Sequence, residues 1–288
     1  MQTKTILILG STGMAGHMIY YHLKNTNKFN VVNVSYRNKL TADSIIIDIK
    51  NKSDLEKLIM DTKPNYIINC IGILIKNSID TENAIFINAY FPHFLKKVAD
   101  KINGKLIHIS TDCVFSGKTG NYMEESFKDA EDTYGLSKSL GEVNDVKHLT
   151  IRTSIIGPEL KSNGEGLFHW FMSQQGEIIG YTNAIWGGVT TLELAKAIES
   201  YLTNESVSGI VHLTNGQRIT KYELLKLFKS IWITKDINIK EGYGKKNVDK
   251  SLAKSPTFKY EVASYGDMLK EQFVWMDNHR NLYSLYKF

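Results

Sequence analysis

The sequence predicts an α/β protein built on a doubly wound parallel sheet. Three observations carry that prediction. Short apolar runs rich in β-branched residues alternate with helical patterns up to about residue 110. A glycine-rich turn, Gly10-Ser-Thr-Gly13-Met-Ala-Gly16, joins the first run to the first helix. A stretch from Ser110 to Lys138 then follows an apolar run and ends with Tyr134 and Lys138 four apart at a helix start.

Thr5 to Leu9 reads as the first strand. Past the glycines, Met14, Met18, Ile19 and His22 or Leu23 recur at helical spacing. Glycines between strand and helix let the backbone approach a pyrophosphate, which the free N–H groups and positive end of the helix then meet. The spacing is GxxGxxG rather than the usual GxGxxG. Gly10, Thr12, Gly13, Met14 and Gly16 are the candidate phosphate contacts.

Phe29 to Val34 is the second strand and ends in Ser35-Tyr36-Arg37. That end carries no carboxylate for a ribose 2′-hydroxyl, and Arg37 suits a 2′-phosphate, which favours NADP(H) over NAD(H). Arg37 as a plain surface residue is the alternative. Ser44 to Ile47 is strand-like and leads to Asp48-Ile49. Asp48 either accepts from an adenine amino group or caps the helix that starts near Ser53.

Ser53 to Asp61 is helical, and Pro64 stops it. Tyr66 to Ile71 is a buried strand. Cys70 at its end reads as a small packed residue, and Gly72 lets a nicotinamide pass close to backbone. Thr81 to Ile102 is a long helix whose Asn88 either faces the strand ends or is solvated. Lys105 to Ile109 is the strand that leads to Ser110.

Residues four apart on a helix share a face. A positive charge favours phenolate, so an ammonium at Lys138 is expected to lower the pKa of Tyr134 from about 10. Thr111, just past the strand, offers a hydroxyl to the same reacting oxygen. A hydroxyl, a phenol and an ammonium around one carbonyl polarise it and donate a proton to it.

Leu149 to Thr153 is a further strand, ending in Ser154-Ile155-Ile156-Gly157-Pro158, after which the alternation is lost. Gly164 to Gln175 reads as a helix, Glu177 to Trp186 as a strand-loop unit, and Gly209 to Leu213 as one more strand. Leu194, Ala195, Ile198 and Leu202 mark an amphipathic helix over Thr191 to Leu202. Thr220 with Glu223 is a capping-box start for a helix to Ile233. Lys235 to Tyr265 looks polar and irregular. Gly266 to Leu282 is a last helix with Leu269, Phe273 and Met276 inward, followed by a tail of Tyr283, Tyr286 and Phe288 suited to packing or a subunit contact.

The charge excess is only +5 and is spread out, so nucleic acid is not an expected partner. Lys245-Lys246, near Lys250 and Lys254, reads as a solvated loop. Two cysteines make no disulfide framework and suit a reducing compartment. No apolar run reaches membrane-spanning length, and the N-terminus enters a strand directly, so a cytoplasmic protein is expected. No residue is assigned to a metal.

The set Gly10, Gly13, Gly16, Thr111, Tyr134 and Lys138 resembles the extended short-chain dehydrogenase/reductase family. STDCVFSG, YGLSKSLGE and LTIRTSIIG resemble its dTDP-4-dehydrorhamnose reductase branch. The resemblance implies a Rossmann-type NAD(P)-binding domain (1–156 with 188–214) and a small C-terminal α/β substrate-binding domain (157–187 with 215–288). It implies Tyr134 as proton donor, Lys138 on the nicotinamide ribose and Thr111 on the carbonyl of a nucleotide sugar. The sugar is expected between the carboxyl edge of the sheet and the stretch from Ser162 to Gly188, with Asp112, Cys113, Phe168, Asn183 and Trp186 as candidates for lining its site and Trp186 equally suited to the core. Cys113 stands where the branch commonly has tyrosine and where 4,6-dehydratases carry glutamate. A thiol is a poor base for elimination, so reduction of a keto group, most simply at C4, is expected. An epimerase, an epimerase-reductase and a non-catalytic regulatory protein on the same fold are the alternatives; a homodimer is a further possibility.

Overall fold

The computed structural model describes residues 3–204, 207–232 and 236–288. β1 (Thr5–Leu9) passes through the glycine turn into α1 (Met14–Asn25), then β2 (Asn30–Ser35), β3 (Ile45–Ile46), α2 (Lys52–Thr62) and β4 (Tyr66–Asn69). One helical run comprises α3 (Thr81–Ala84), a π-helical segment Ile85–Tyr90, and α4 (Phe91–Lys101). It leads to β5 (Lys105–Ile109), α5 (Thr133–Leu140), β6 (Leu149–Arg152) and β7 (Ile155–Ile156). Next come α6 (Leu167–Ser173), β8 (Gly176–Tyr181), β9 (Ala184–Trp186), β10 (Val189–Thr190), α7 (Thr191–Asn204) and β11 (Gly209–His212). The last elements are β12 (Ile219–Thr220), α8 (Lys221–Ile231), β13 (Ile237–Gly242), β14 (Val248–Asp249) and α9 (Tyr265–Asn278).

Seven strands form one parallel sheet in the order β11-β6-β5-β4-β1-β2-β3. The expected doubly wound, Rossmann-type sheet is present. Alternation along β1 explains its two covered faces: Ile6 and Ile8 join one apolar layer, Leu7 and Leu9 the other. The first layer contains Met18, Ile19 and Leu23 of α1 with Leu194, Ile198 and Leu202 of α7. The second contains Leu55 and Ile59 of α2 with Leu95 and Val98 of α4. Chain direction across the sheet reverses between β1 and β4, so their carboxyl ends flank a crevice, the place where such sheets bind ligands. Smaller sheets, β12-β9-β14, β13-β8 and β10-β7, involve the later part of the chain.

Several elements differ from the sequence reading. Only Leu167–Ser173 of the expected 164–175 helix forms. Its N-terminal part is held as a loop because Glu159 Oε1 takes the Gly166 N–H at 2.7 Å. The region from 236 to 265 is irregular only in its second half: β13 pairs with β8 and β14 with β9, while 250–264 forms no helix or strand. Thr220 and Glu223 do make the capping box of α8, but Ile233 and Lys235 lie outside the described residues. In α9, Leu269 and Met276 are buried and Phe273 packs against the same core, as do the buried tail residues Tyr283 and Tyr286.

Two buried histidines give the fold an acid limit. Burial lowers His17 to about 4, against a hydrogen bond to the Gly13 carbonyl that opposes the shift. Burial, helped by the Arg152 guanidinium, lowers His212 to about 4. An unfolded histidine takes its proton near 6.5. Between those values the unfolded chain binds more protons than the folded one, so stability is lost as pH falls from about 6.5 to about 4. Urea midpoints should decline steadily across that window; a midpoint constant down to pH 4 would contradict the buried, neutral placement of both rings.

Candidate active site

Gly10 adopts φ +81°, a conformation that side chains resist, and its N–H and that of Ser11 bond to the Val34 carbonyl at 3.0 and 3.1 Å. A Cβ on Gly16 would lie 2.2 Å from the Gly10 carbonyl oxygen. The turn therefore needs both glycines. Gly13 is the N-cap of α1, no side chain caps it, and the first turn of that helix has no acidic residue. The first N–H groups of α1 are thus left for an anion.

Thr12, Gly13 and Met14 line a cavity of about 510 Å³ with Cys70, Gly72, Thr111, Asp112, Cys113, Tyr134 and Lys138. The glycine turn and the expected catalytic trio are therefore brought to one space. A Cβ on Gly72 would meet only Asn88 Oδ1 at 3.5 Å and Lys138 Nζ at 4.0 Å, so its bare edge leaves room on the cavity side.

Thr111 follows β5 in extended backbone, and its Oγ1 accepts from the Cys113 N–H at 3.1 Å. Asp132 caps α5 through the Gly135 N–H at 2.8 Å, which sets Tyr134 and Lys138 one turn apart on the buried face. Lys138 Nζ donates to the Ile109 carbonyl at 2.7 Å. Burial lowers its pKa to about 8, against the pull of Glu142 and Cys70, so it is an ammonium at neutral pH.

The expected lowering of the Tyr134 pKa is not found. Burial pushes the phenol up, Cys113 adds to the rise, and a hydrogen bond with Thr111 only partly opposes it. The reason is burial: taking the ring out of water disfavours phenolate, and the Lys138 ammonium, bonded to the Ile109 carbonyl, does not offset it. The phenol consequently keeps its proton near neutral pH, as a donor requires. Burial also pushes Cys113 up to about 12, with Asp112 adding to the shift, and burial alone drives Cys70 up to about 12 against Lys138. Neither thiol is a base at neutral pH.

A buried network supports the loop from behind. Arg152 grips Glu142 through Nε at 2.6 Å and Nη2 at 2.8 Å, and Ser110 Oγ donates to the same carboxylate at 2.8 Å. Asn88 is fully buried, which excludes the solvated alternative. It does not line the cavity: its amide bonds both the N–H and the carbonyl of Ile73 and donates to Ser137 Oγ at 3.1 Å.

Arg37 is exposed just past the end of β2 and lies over the Tyr36 ring at 4.6 Å, outside the cavity. Other expectations need correction. Asp48 caps no helix; it accepts from the Lys50 N–H at 2.9 Å while Asn51 is the N-cap of α2, and Ile49 is buried core. Phe168 is buried against Phe228 and Trp232 rather than lining the cavity. Asn183 staples the β8–β9 turn to Gly244, accepting its N–H and donating to its carbonyl. Trp186 is core, with Nε1 donating to Ser154 Oγ at 2.9 Å.

The wall of the cavity is instead made by Ser154, Glu159, Lys161, Glu165 and Gly166. Ser154 falls in the LTIRTSIIG motif, and Glu165 and Gly166 fall in the stretch expected beside the sugar, but no local pattern marked Glu159 or Lys161, because the loop is shaped by contacts from distant parts of the chain. Asn77 Nδ2 donates to Glu165 Oε1 at 3.0 Å, and a Cβ on Gly166 would lie 2.4 Å from the Met14 methyl. Lys250 was also missed. β14 delivers it beside Gly117, and its charge faces Asp112 and Cys113.

The family model of the RmlD substrate binding domain matches residues 4–240. A dTDP-4-dehydrorhamnose reductase of Aggregatibacter actinomycetemcomitans is 27% identical over 231 residues, 76% of this chain and 76% of the relative. Methionine adenosyltransferase 2 subunit beta of Xenopus laevis is 24% identical over 237 residues, 77% of this chain and 70% of the relative. Among solved structures, a dTDP-4-dehydrorhamnose reductase from Bacillus anthracis in complex with NADP superposes with a TM-score of 0.80 at 20% identity, covering 95% of this chain and 100% of that one. Among the described residues, no helix is long and apolar enough to cross a membrane. With the glycine turn and the Thr111, Tyr134 and Lys138 set already meeting in one cleft, the family match settles the lineage: the chain belongs to the RmlD substrate binding domain family, in its dTDP-4-dehydrorhamnose reductase-like branch.

Proposed function

We propose that the protein is an NADP(H)-dependent reductase of a keto group, at C4, on a nucleotide-linked deoxysugar. The observation that carries this reading is the convergence of Thr111, Tyr134 and Lys138 with the uncapped start of α1 on one cavity. The residues present fit a dinucleotide: the turn is bare where phosphates would approach, and Gly72 leaves an open edge. When bound, the reduced nicotinamide supplies the hydride. Tyr134 donates its proton to the carbonyl oxygen, Thr111 hydrogen-bonds the same oxygen, and Lys138, its ammonium held by the Ile109 carbonyl, would hold the nicotinamide ribose. The high pKa of Cys113 supports reduction over elimination. In this reading 1–156 with 188–214 hold the cofactor, and 157–187 with 215–288 hold the sugar nucleotide, in a route to surface polysaccharide.

The test is incubation with NADPH and a dTDP-4-keto-6-deoxysugar. One NADPH consumed per keto group reduced supports the reading; turnover of the sugar without net consumption indicates an epimerase. Arg37 is assigned to the 2′-phosphate on the strength of its charge and its exposed position just past the end of β2. Losing that contact costs one charge-assisted hydrogen bond, so Arg37→Ala should raise KM for NADPH roughly 10- to 100-fold and leave KM for NADH nearly unchanged. Equal effects on the two cofactors would withdraw the assignment.

The similarity to methionine adenosyltransferase 2 subunit beta supports a second reading, a regulatory subunit on the same fold. A partner enzyme recovered at constant stoichiometry, with no reduction of any keto sugar, would favour it.

A further inference from the structure

Two tyrosines near the C-terminus hold the two walls of the cleft. Tyr283 is 1% exposed, and its hydroxyl lies 3.1 Å from His17 Nε2. His17 Nδ1 lies 2.8 Å from the Gly13 carbonyl. A carbonyl can only accept, so Nδ1 carries the proton, Nε2 is the acceptor, and Tyr283 donates to it. Trp275 Nε1 donates to the same hydroxyl at 3.3 Å. This relay of bonds ends on the N-cap residue of α1, whose peptide sets the direction of the first N–H groups of that helix.

Tyr286, three residues on, grips the opposite wall. Its hydroxyl accepts from the Glu159 N–H at 2.8 Å and lies 3.3 Å from the Glu159 carbonyl. His169 Nδ1 is 2.8 Å from the same hydroxyl, while its Nε2 is 3.2 Å from the Ser162 carbonyl. Glu159 Oε1 in turn holds the Gly166 N–H at 2.7 Å. One phenol thus braces the 159–166 loop at Glu159 directly and at Ser162 through His169. The two walls meet where Met14 of α1 packs on Gly166.

We infer that Tyr283 and Tyr286 are positioning residues that set the spacing of the cleft without lining it. Tyr283 orients the phosphate-facing peptide of α1, and Tyr286 fixes the wall that the sugar nucleotide meets. Because the two buried phenols sit three residues apart in one short segment, movement of either wall is resisted by the same anchor. The identity of the two ligands rests on the function proposed above; the mechanical link does not.

Tyr283→Phe and Tyr286→Phe keep the rings and remove only the hydroxyls. Amide hydrogen exchange on the full chain should separate them. Tyr283→Phe should speed exchange at residues 13–17 about fivefold, and Tyr286→Phe should do so at residues 159–166, with β4 and β5 unchanged as internal controls. In fluorescence titrations Tyr283→Phe should weaken NADPH about fivefold and Tyr286→Phe should not. Tyr286→Phe should instead raise KM for the sugar nucleotide with kcat retained. Exchange that quickens uniformly, or not at all at those segments, overturns the inference. If the wild-type protein fails to bind NADPH, the proposed function falls while the exchange data still decide the link.

Discussion

Tyr134→Phe is expected to lower kcat by about 10²- to 10⁴-fold, the range a positioned proton donor contributes. The ring is buried and the substitution keeps it, so packing should survive. What disappears is the hydroxyl that bonds Thr111 and keeps its proton near neutral pH, because burial pushes its pKa up. NADPH affinity should change little, since Gly10, Gly13 and the start of α1 are untouched. Steady-state kinetics beside a cofactor titration checks both halves. Full turnover in this variant would remove Tyr134 from the chemistry; lost turnover with lost NADPH binding would point to collapse of the cleft.

The largest effect on stability is expected at Glu142. Its side chain is 0% exposed and Arg152 is 2% exposed, and the two are joined by paired hydrogen bonds. Lys128 Nζ lies 3.2 Å from the same carboxylate. Glu142→Ala would leave the Arg152 guanidinium charged and buried, which typically costs about 3–5 kcal/mol. Urea denaturation should show that loss. Replacing both Glu142 and Arg152 by methionine should regain much of it, because the stranded charge is what is costly. Burial opposes ionisation of Glu142, yet Arg152, Ser110 and Lys128 together hold its pKa below the usual value. The stability of this pair is therefore present above about pH 4.5 and is lost as pH falls through the depressed value. A single variant as stable as the wild type would show that the charge finds water.

Much of the cofactor half was legible locally. A strand that alternates Ile6, Leu7, Ile8 and Leu9 under a GxxGxxG turn needs no distant partner to be recognised, because the period of the strand and the steric need for Gly10 and Gly16 are short-range. Tyr134 and Lys138 were legible for the same reason: one helical turn separates them. The substrate wall was not. Phe168, Asn183 and Trp186 carry the right chemistry to line a pocket, and each is instead spent on a distant packing or hydrogen-bond partner. The phenol's pKa was misjudged because spacing on a helix does not reveal how deeply the ring is buried, and burial sets the direction of the shift.

From the sequence alone came the parallel sheet, the phosphate turn and the threonine, tyrosine and lysine set, since each depends on residues within a few positions of one another. Tertiary structure alone decided the wall at 159–166, the approach of Lys250 to Cys113 and the brace from Tyr283 and Tyr286. Those contacts join residues as far as 266 positions apart. They exist only because folding brings separate chain segments together around the carboxyl edge of the sheet, and no local period or spacing encodes them.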